Sequence, residues 1–496
     1  MTMPTTSAQS LGAASLANLA TAGRPLVNPA DLETRVVHFG IGAFHRAHQA
    51  VYTEAAAARS GQPWGIAAVA PGSRAAVDGL RAQDCLYSVT DLASGATRTK
   101  VIGSITDALL LQPDAAAVHD LLISDAVSVV TLTVTEKGYH RRADNGQLDT
   151  AAPAVADDLA RSSDTSTAAT GSRTVVGRLA VSLAGRHRAG GAPISVVSCD
   201  NMAGNGAVLE GVVRGFVQAS GWPDKDAVLD WMSAAVAFPA TVVDRIVPAT
   251  TDQDRDAAAA ALGVRDEMAV VGEPYRQWVL QDTFTGPRPP WELDGALFVA
   301  DVAPYQLMKL RLLNGSHSAL AYLGLAAGCS SITEVLHTDW GERLVRALAA
   351  EVSPTLPDVG LDEAKYTDDL VDRFRNPAMR DQLRRIGSDG SLKIGERWLG
   401  ALRTLRAEGA ATPVLELALA GWVNATRPAD AGGQQFDTSD PAAVALADCW
   451  GTTANPAALV AALLREVGAA DLAQQHDLTA SIAQRLPALR AGRIDI

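Results

Sequence analysis

The sequence predicts an α/β protein: a doubly wound, parallel sheet in the N-terminal part, followed by a mainly α-helical C-terminal domain. Three observations carry this prediction. Up to about residue 300, short β-branched runs alternate with Ala- and Leu-rich helical segments, the pattern of successive βαβ units. A glycine turn, Gly40-Ile41-Gly42, separates the first such run from the first helical segment. Beyond residue 300 the β-branched runs stop and long periodic Leu/Ala segments take over, as helices packed on one another require. A chain of 496 residues exceeds one ordinary hydrophobic core, so more than one domain is expected.

Taken in order, residues 1–30 are rich in Ala, Thr and Ser and close on Pro25 and Pro29; they are expected to form a flexible arm. No basic stretch precedes their weakly apolar segment, so no secretory signal is read there. Residues 35–39 read as a buried strand, followed by the glycine turn and a helix over 47–59. Residues 64–70 read as a second strand, bounded by Pro71-Gly72. Residues 126–135 and 192–201 read as two more strands, each ending in polar residues, with a helix over 174–189 between them. This Rossmann-like domain is expected to span 31–297. In the domain expected over 298–496, helices are predicted at 305–326, 334–350, 377–386, 397–409 and 413–426, with a polar loop over 426–441.

A net charge of -13 argues against a nucleic-acid-binding surface, which needs a basic patch. No run approaches the roughly 18 apolar residues of a membrane span. Cys85, Cys199, Cys329 and Cys449 lie far apart with no C-x-x-C spacing, which fits a reducing compartment rather than a disulfide framework. A cytoplasmic protein acting on a small molecule is therefore expected, as a monomer or small homo-oligomer.

In the glycine turn, Gly40 permits the sharp bend and Gly42 lets backbone approach a pyrophosphate, with a helix N-terminus facing that anion. The third glycine of G-x-G-x-x-G is replaced by His45, so the motif alone is weak. His45 and His48 are three residues apart, but H-E-x-x-H spacing is absent; they are expected to shape the turn rather than hold a metal. After the second strand, where an acid would hold an adenosine 2′-hydroxyl, the chain offers Ser73 and Arg74. An arginine there suits a 2′-phosphate, so NAD and NADP stand equal. Gly40, Gly42, Phe44 and Arg74 are the expected cofactor-binding residues.

Residues 308–324, "MKLRLLNGSHSALAYLG", carry the chemistry. On a regular helix with Lys309 at zero, His317 falls at about 80° and Asn314 at about 140°. An amine, an amide and an imidazole thus share one broad side of an apolar segment. Burial disfavours an ammonium, so Lys309 is suited to take a hydroxyl proton near neutral pH. Asn314 is suited to stabilise the resulting alkoxide, and His317 to orient the substrate or the lysine. With a nicotinamide cofactor, the implied reaction is hydride transfer between a secondary alcohol and a ketone. Glu136 and Lys137, and Asp200 and Asn201, end predicted strands and so face the crevice where ligands bind; Asp200 could equally cap the next helix.

These segments, with "HFGIGAFHRAHQAVYT", "TLTVTEKGY", "SCDNMAGNG", "FPATVVDRIVPAT", "GEPYRQWVLQD" and "RRIGSDGSLK", resemble the polyol-specific long-chain dehydrogenases, the family of mannitol 2-dehydrogenase and fructuronate reductase (mannonate oxidoreductase). The matches run in family order from about residue 35 to 395. The resemblance implies Lys309 as general base, Asn201 and Asn314 as oxyanion-stabilising amides, and His317 as the substrate-orienting histidine. It implies Asp244, Arg385, Lys393 and Glu136 as substrate-binding, with Glu136 relaying the lysine's proton, and zinc-independent chemistry. The Pro71–Arg74 loop departs from members with an acidic pair at that place, which leaves the nucleotide open. The first reading of the substrate is D-mannitol and D-fructose; the second is D-mannonate and D-fructuronate, whose carboxylate would need a cation such as Lys137, Arg276 or Arg311. A nucleotide-binding sensor without catalysis is disfavoured by the joint presence of Lys309, Asn314, His317 and Asn201.

Overall fold

Period-two alternation along the first strands sorts their side chains onto two faces of one sheet. The computed structural model describes residues 9–93, 95, 97–163, 168–379, 382–428 and 438–496. Its strands are β1 (Glu33–Phe39), β2 (Trp64–Ala70), β3 (Tyr87–Asp91), β4 (Arg98–Ile102), β5 (Ile105–Leu110), β6 (Val129–Leu132), β7 (Ile194–Ser198), β8 (Val236–Ala237), β9 (Thr241–Asp244), β10 (Val270–Gly272), β11 (Gln277–Gln281) and β12 (Leu297–Val299). The main sheet has the order β5-β2-β1-β6-β7-β8, and every pairing in it is parallel. Val37, Phe39, Ala67, Val69, Val130, Leu132 and Val196 fill the core on one face. Val36, Ile66, Ala68, Ala70, Val129 and Val197 fill the core on the other. The chain winds outward from β1 through β2 to β5, then returns to β6 on the opposite side. The point of reversal lies between β1 and β6, where the carboxyl ends leave a crevice.

The chain forms two compact units, Met1–Val302 and Ala303–Ile496. The four strands predicted from β-branched runs are β1, β2, β6 and β7. Two small sheets, β10-β3-β4 and β12-β11-β9, and the outer strand β5 were not expected. Their segments are short or, like "ITDALL" in β5, carry no β-branched run. They are strands because distant partners exist: Val270 of β10 pairs with Val89 of β3, a tertiary choice that local pattern does not contain.

The arm expected to be flexible over 1–30 is docked in its described part. Leu11 donates its N–H to the Arg265 carbonyl at 2.7 Å, and Leu11 and Leu19 are buried with Leu86, Val101, Leu262 and Val264. These two leucines and the Ala13 N–H to Asp84 bond at 2.9 Å anchor an otherwise Ala/Ser-rich segment; residues 1–8 lie outside the described residues.

The second unit is helical around the Gly315–Ala326 helix, which is buried on nearly every side and packs against the helices Gly341–Val352, Leu383–Gly387 and Pro413–Ala425. The segment expected as one helix over 334–350 is two, Ile332–Leu336 and Gly341–Val352. Gly341 permits the join, since a Cβ there would meet the Val335 carbonyl oxygen at 2.1 Å. Of the polar loop at 426–441, residues 429–437 lie outside the described residues.

Candidate active site

The glycine turn leaves β1 at the point of reversal. Gly40 has φ 114°, and a Cβ there would lie 2.3 Å from the Thr133 carbonyl oxygen just beyond β6. Only glycine fits. At Gly42 a Cβ would meet nothing within 4 Å; Gly42 is exposed and precedes the short Ala43–Ala47 helix. An open backbone turn at this place suits a pyrophosphate. Phe44 is half-buried, its ring stacked on His48 with centroids 5.0 Å apart.

The His45-Arg46-Ala47-His48 cluster is entirely buried. His45 stacks on His38 at 3.4 Å between ring centroids, and His38 bonds Thr131 Oγ1 at 2.7 Å. Arg46 turns back to donate to the carbonyls of Ile41 and Met268. His48 Nε2 meets the Gln277 carbonyl oxygen of β11 at 2.9 Å. Burial pushes both His45 and His48 down to about 3. The cluster shapes the turn and ties it to the smaller sheet. Among the described residues, no group of three His, Cys, Asp or Glu side chains could hold a metal ion.

Arg74 is exposed at the first position of the Arg74–Arg81 helix, directly after β2. That is the strand beside β1, where an adenosine ribose lies in this sheet order.

The loops after β6 and β7 are locked together by Asp200, whose role as a cap of the next helix is not the one observed. Its carboxylate accepts from the N–H groups of Val134 (3.1 Å) and Thr135 (2.8 Å) and from the Tyr139 hydroxyl (2.7 Å). Burial raises its pKa, opposed by these three hydrogen bonds. Thr135 is thereby held at φ 68°, which presents Glu136 and Lys137 at the surface. Both line an open depression of about 720 Å³ with His140, Arg141 and Arg142. Asn201 is exposed, and the loop that carries it is pinned by Asn205, whose amide donates to the carbonyls of Asp200 and Thr241 at 3.0 Å. Tyr139 and Asn205 were not singled out in the sequence; each is a polar side chain that follows a strand end by a few residues.

Asp244 ends β9, is buried and pairs in register with Gln277, the residue that receives His48. Its neighbour Arg245 donates to the Glu273 carbonyl at 2.9 Å, to Asp91 at 2.6 Å and to the Ala47 carbonyl. The "VVDRIVP" motif thus pairs an acid with an arginine that binds the glycine-turn helix to β3. Arg276 is taken up by Asp294 and lies 4.3 Å over the Tyr52 ring.

In the second unit, Lys309–Asn314 is a π-helix between the α-helices Ala303–Met308 and Gly315–Ala326. The Gly315 N–H reaches back to the Leu310 carbonyl, a bond closed over five residues instead of four. This corrects the regular-helix placement. In a turn of that width, Asn314 falls one turn beyond Lys309 on the same side, rather than about 140° round from it. His317, three residues further along a regular helix, continues that side. Lys309 is buried, with Leu312 and Leu313 buried beside it in sequence, and the His317 ring lies 4.7 Å from that of Phe374. Arg311 donates to the backbone and side chain of Thr355.

Arg385 is exposed on the Leu383–Gly387 helix. Lys393 donates to the carbonyls of Ser388 (2.6 Å) and Ile386 (3.4 Å), closing the loop between them. Burial and the Arg397 guanidinium push its pKa down. Lys309, Asn314, His317, Arg385 and Lys393 all belong to the second unit; Gly40, Gly42, Phe44, Arg74, Glu136, Asn201 and Asp244 belong to the first.

A sheet wound in this order with an open glycine turn at its reversal, joined in one chain to a helical unit bearing a buried lysine, defines a Rossmann-type dehydrogenase. Residues 34–293 match the mannitol dehydrogenase Rossmann domain, and residues 301–490 the mannitol dehydrogenase C-terminal domain. The chain is 39% identical to D-mannonate oxidoreductase of Escherichia coli (strain K12), over 84% of this chain and 85% of that protein. It is 36% identical to mannitol 2-dehydrogenase of Pyrenophora tritici-repentis (strain Pt-1C-BFP), over 87% of this chain and 76% of that protein. Its fold matches that of Pseudomonas fluorescens mannitol 2-dehydrogenase, solved as a ternary complex with NAD and D-mannitol, with a TM-score of 0.77, 35% identity and 97% of each chain covered. The chain belongs to the mannitol dehydrogenase family.

Proposed function

We propose that this enzyme interconverts a sugar alcohol and its 2-keto sugar, D-mannitol and D-fructose in the first reading, with Lys309 as general base and no metal. One observation supports this above the others: Lys309, which is buried, and Asn314 are the first and last residues of one π turn, whose width puts positions five apart on one side of the helix. A nicotinamide dinucleotide at the Gly40–Gly42 turn would supply the hydride acceptor. In the oxidative direction Lys309 takes the proton of the C2 hydroxyl. The amide of Asn314 donates to the developing alkoxide, and Asn201 is assigned the same role. His317 orients the neighbouring hydroxyls, and Glu136, which is exposed, is assigned to proton relay. Asp244, Arg385 and Lys393 are assigned to substrate binding, Phe44 to the cofactor and Arg74 to a 2′-phosphate where NADP is used.

A second reading, D-mannonate and D-fructuronate, is favoured by Lys137. Of the three cations considered for a carboxylate, Arg276 is bound to Asp294 and Arg311 to Thr355. Lys137 is exposed beside Glu136, in the depression that Arg141 and Arg142 also line. A spectrophotometric panel of fructose, fructuronate, tagaturonate and xylulose, with NADH and with NADPH, separates the readings. Preference for fructose supports the first. Preference for fructuronate that is lost in Lys137→Gly supports the second, and no nucleotide oxidation on any of the four rejects both.

A further inference from the structure

A π turn is a rare interruption of an α-helix, and support from packing partners can favour it over the regular register. In the second unit that support comes from another π turn, Gly395–Leu399, packed against the first. Arg397 projects from it and donates to the Asn314 carbonyl at 3.3 Å and to Ser318 Oγ at 2.7 Å. Trp398, completely buried, donates its indole N–H to the Gly315 carbonyl at 3.1 Å. A Cβ at Gly315 would lie 3.4 Å from the indole nitrogen, ordinary van der Waals contact, so the indole packs directly against this position.

We infer that Arg397 and Trp398 are positioning residues, which fix the register of the Lys309–Asn314 turn by holding the carbonyls of Asn314 and Gly315. The inference rests on the proposed base role of Lys309, and it adds residues to which no role in the reaction was given above. The guanidinium bridges two groups four residues apart, Asn314 and Ser318, across the junction between π and α geometry. Return of the turn to four-residue closure would rotate Asn314 away from Lys309 and break both of these bonds. A carbonyl has two lone pairs, so these donors add to the helix's own bonding. The pKa of Lys393 is lowered first by burial and then by the Arg397 charge.

The test uses the full-length enzyme with Arg397→Met, Arg397→Lys and Trp398→Phe, read by kcat, KM, NADH affinity, melting temperature and the pH profile of kcat. The expected result for Arg397→Met is a fall in kcat on the order of ten- to a hundredfold, as for a misplaced reacting group. NADH affinity should hold, and the pH limb of kcat assigned to the base should shift. Arg397→Lys, which keeps one donor and the charge, should recover part of the loss, and Trp398→Phe should lower kcat less. If Arg397→Met does not fold, Arg397→Lys carries the test through the same kcat and pH profile. Parental kcat and pH profile in folded Arg397 variants would overturn the inference, as would a kcat loss that only tracks a loss of thermal stability. Lys309→Ala on the same substrate distinguishes the two levels. If it stays active, the base assignment fails; if it is inactive while the Arg397 variants are parental, only the positioning role fails.

Discussion

A methyl group at position 40 has no room, whereas one at position 42 has nothing but room. The two glycines of one turn therefore serve different ends, and substitution should separate them. Gly40→Ala should destabilise the folded protein by at least the ~1–3 kcal/mol of a strained backbone, measured by urea unfolding. Gly42→Ala should leave that stability nearly unchanged but weaken dinucleotide binding several-fold, measured by NADH fluorescence, because the new methyl occupies the open turn. Equal stability losses would mean that the turn is structural only. Arg74 is a third residue whose role can be isolated. Arg74→Asp should raise the KM for NADPH about tenfold or more while sparing NADH, as loss of a charge-assisted phosphate contact does; unchanged KM values for both would remove Arg74 from the cofactor site. At this scale the sequence singles out candidates wherever residue type suggests chemistry. The lysine, asparagine and histidine stand out because amine, amide and imidazole interrupt an apolar run. Arg397 was not readable, since an arginine on a periodic helix looks solvated until its partners, the Asn314 carbonyl and Ser318, are known.

At the scale of elements, the Gln49–Ser60 helix is tied to the β4–β5 turn and to the N-terminal segment through a buried acid. Glu54 accepts from the N–H groups of Gly103 (3.1 Å) and Leu26 (3.2 Å), yet burial raises its pKa from 4.5 to about 7. The native state therefore binds this proton more tightly than the unfolded chain. The resulting contribution to stability is complete below pH 4.5 and is lost as pH rises towards 7. The buried His45 and His48 act in the opposite sense: with values near 3, they cost stability as pH falls below the ordinary histidine value of 6.5. Glu54→Gln keeps the acceptor and removes the titration, so its stability relative to the parent should rise between pH 4.5 and 7. A difference independent of pH in urea unfolding would refute this assignment. The π turn belongs to the same scale. Its composition is that of an ordinary helix, and its closure over five residues depends on packing partners about 80 residues away in sequence. Period-based reading therefore found the helix and misplaced Asn314 upon it. The small sheets were missed for a similar reason: β3 becomes a strand by pairing with both β4 and β10.

At the scale of the whole molecule, the change in composition near residue 300 marks a real change in architecture, from a sheet wound about β1 to helices packed about Gly315–Ala326. Each unit has a core of its own, so a cavity in one should act first on that unit. Leu312→Ala should cost about 2–5 kcal/mol, read by denaturant unfolding. Tryptophan fluorescence during the transition should change early at Trp398 and Trp422, which lie in the same core. A loss below about 1 kcal/mol would show that the helix around the π turn is not held by that core. The division into a sheet unit and a helical unit was legible because parallel sheets and helix bundles demand different periodicities. What composition could not provide was the docking of the N-terminal segment, by Leu11 and Leu19 in a core and by backbone bonds to Arg265, Asp84 and Glu54.

The claim that most of this depends on is the role of one amine. The direct measurement is the turnover of Lys309→Ala on the best substrate of the panel, with NADH affinity measured on the same preparation. If Lys309 is the general base, turnover at neutral pH falls by roughly 10²–10⁴-fold while NADH binds as in the parent enzyme. Turnover within a few-fold of the parent, with the cofactor still bound, would contradict it.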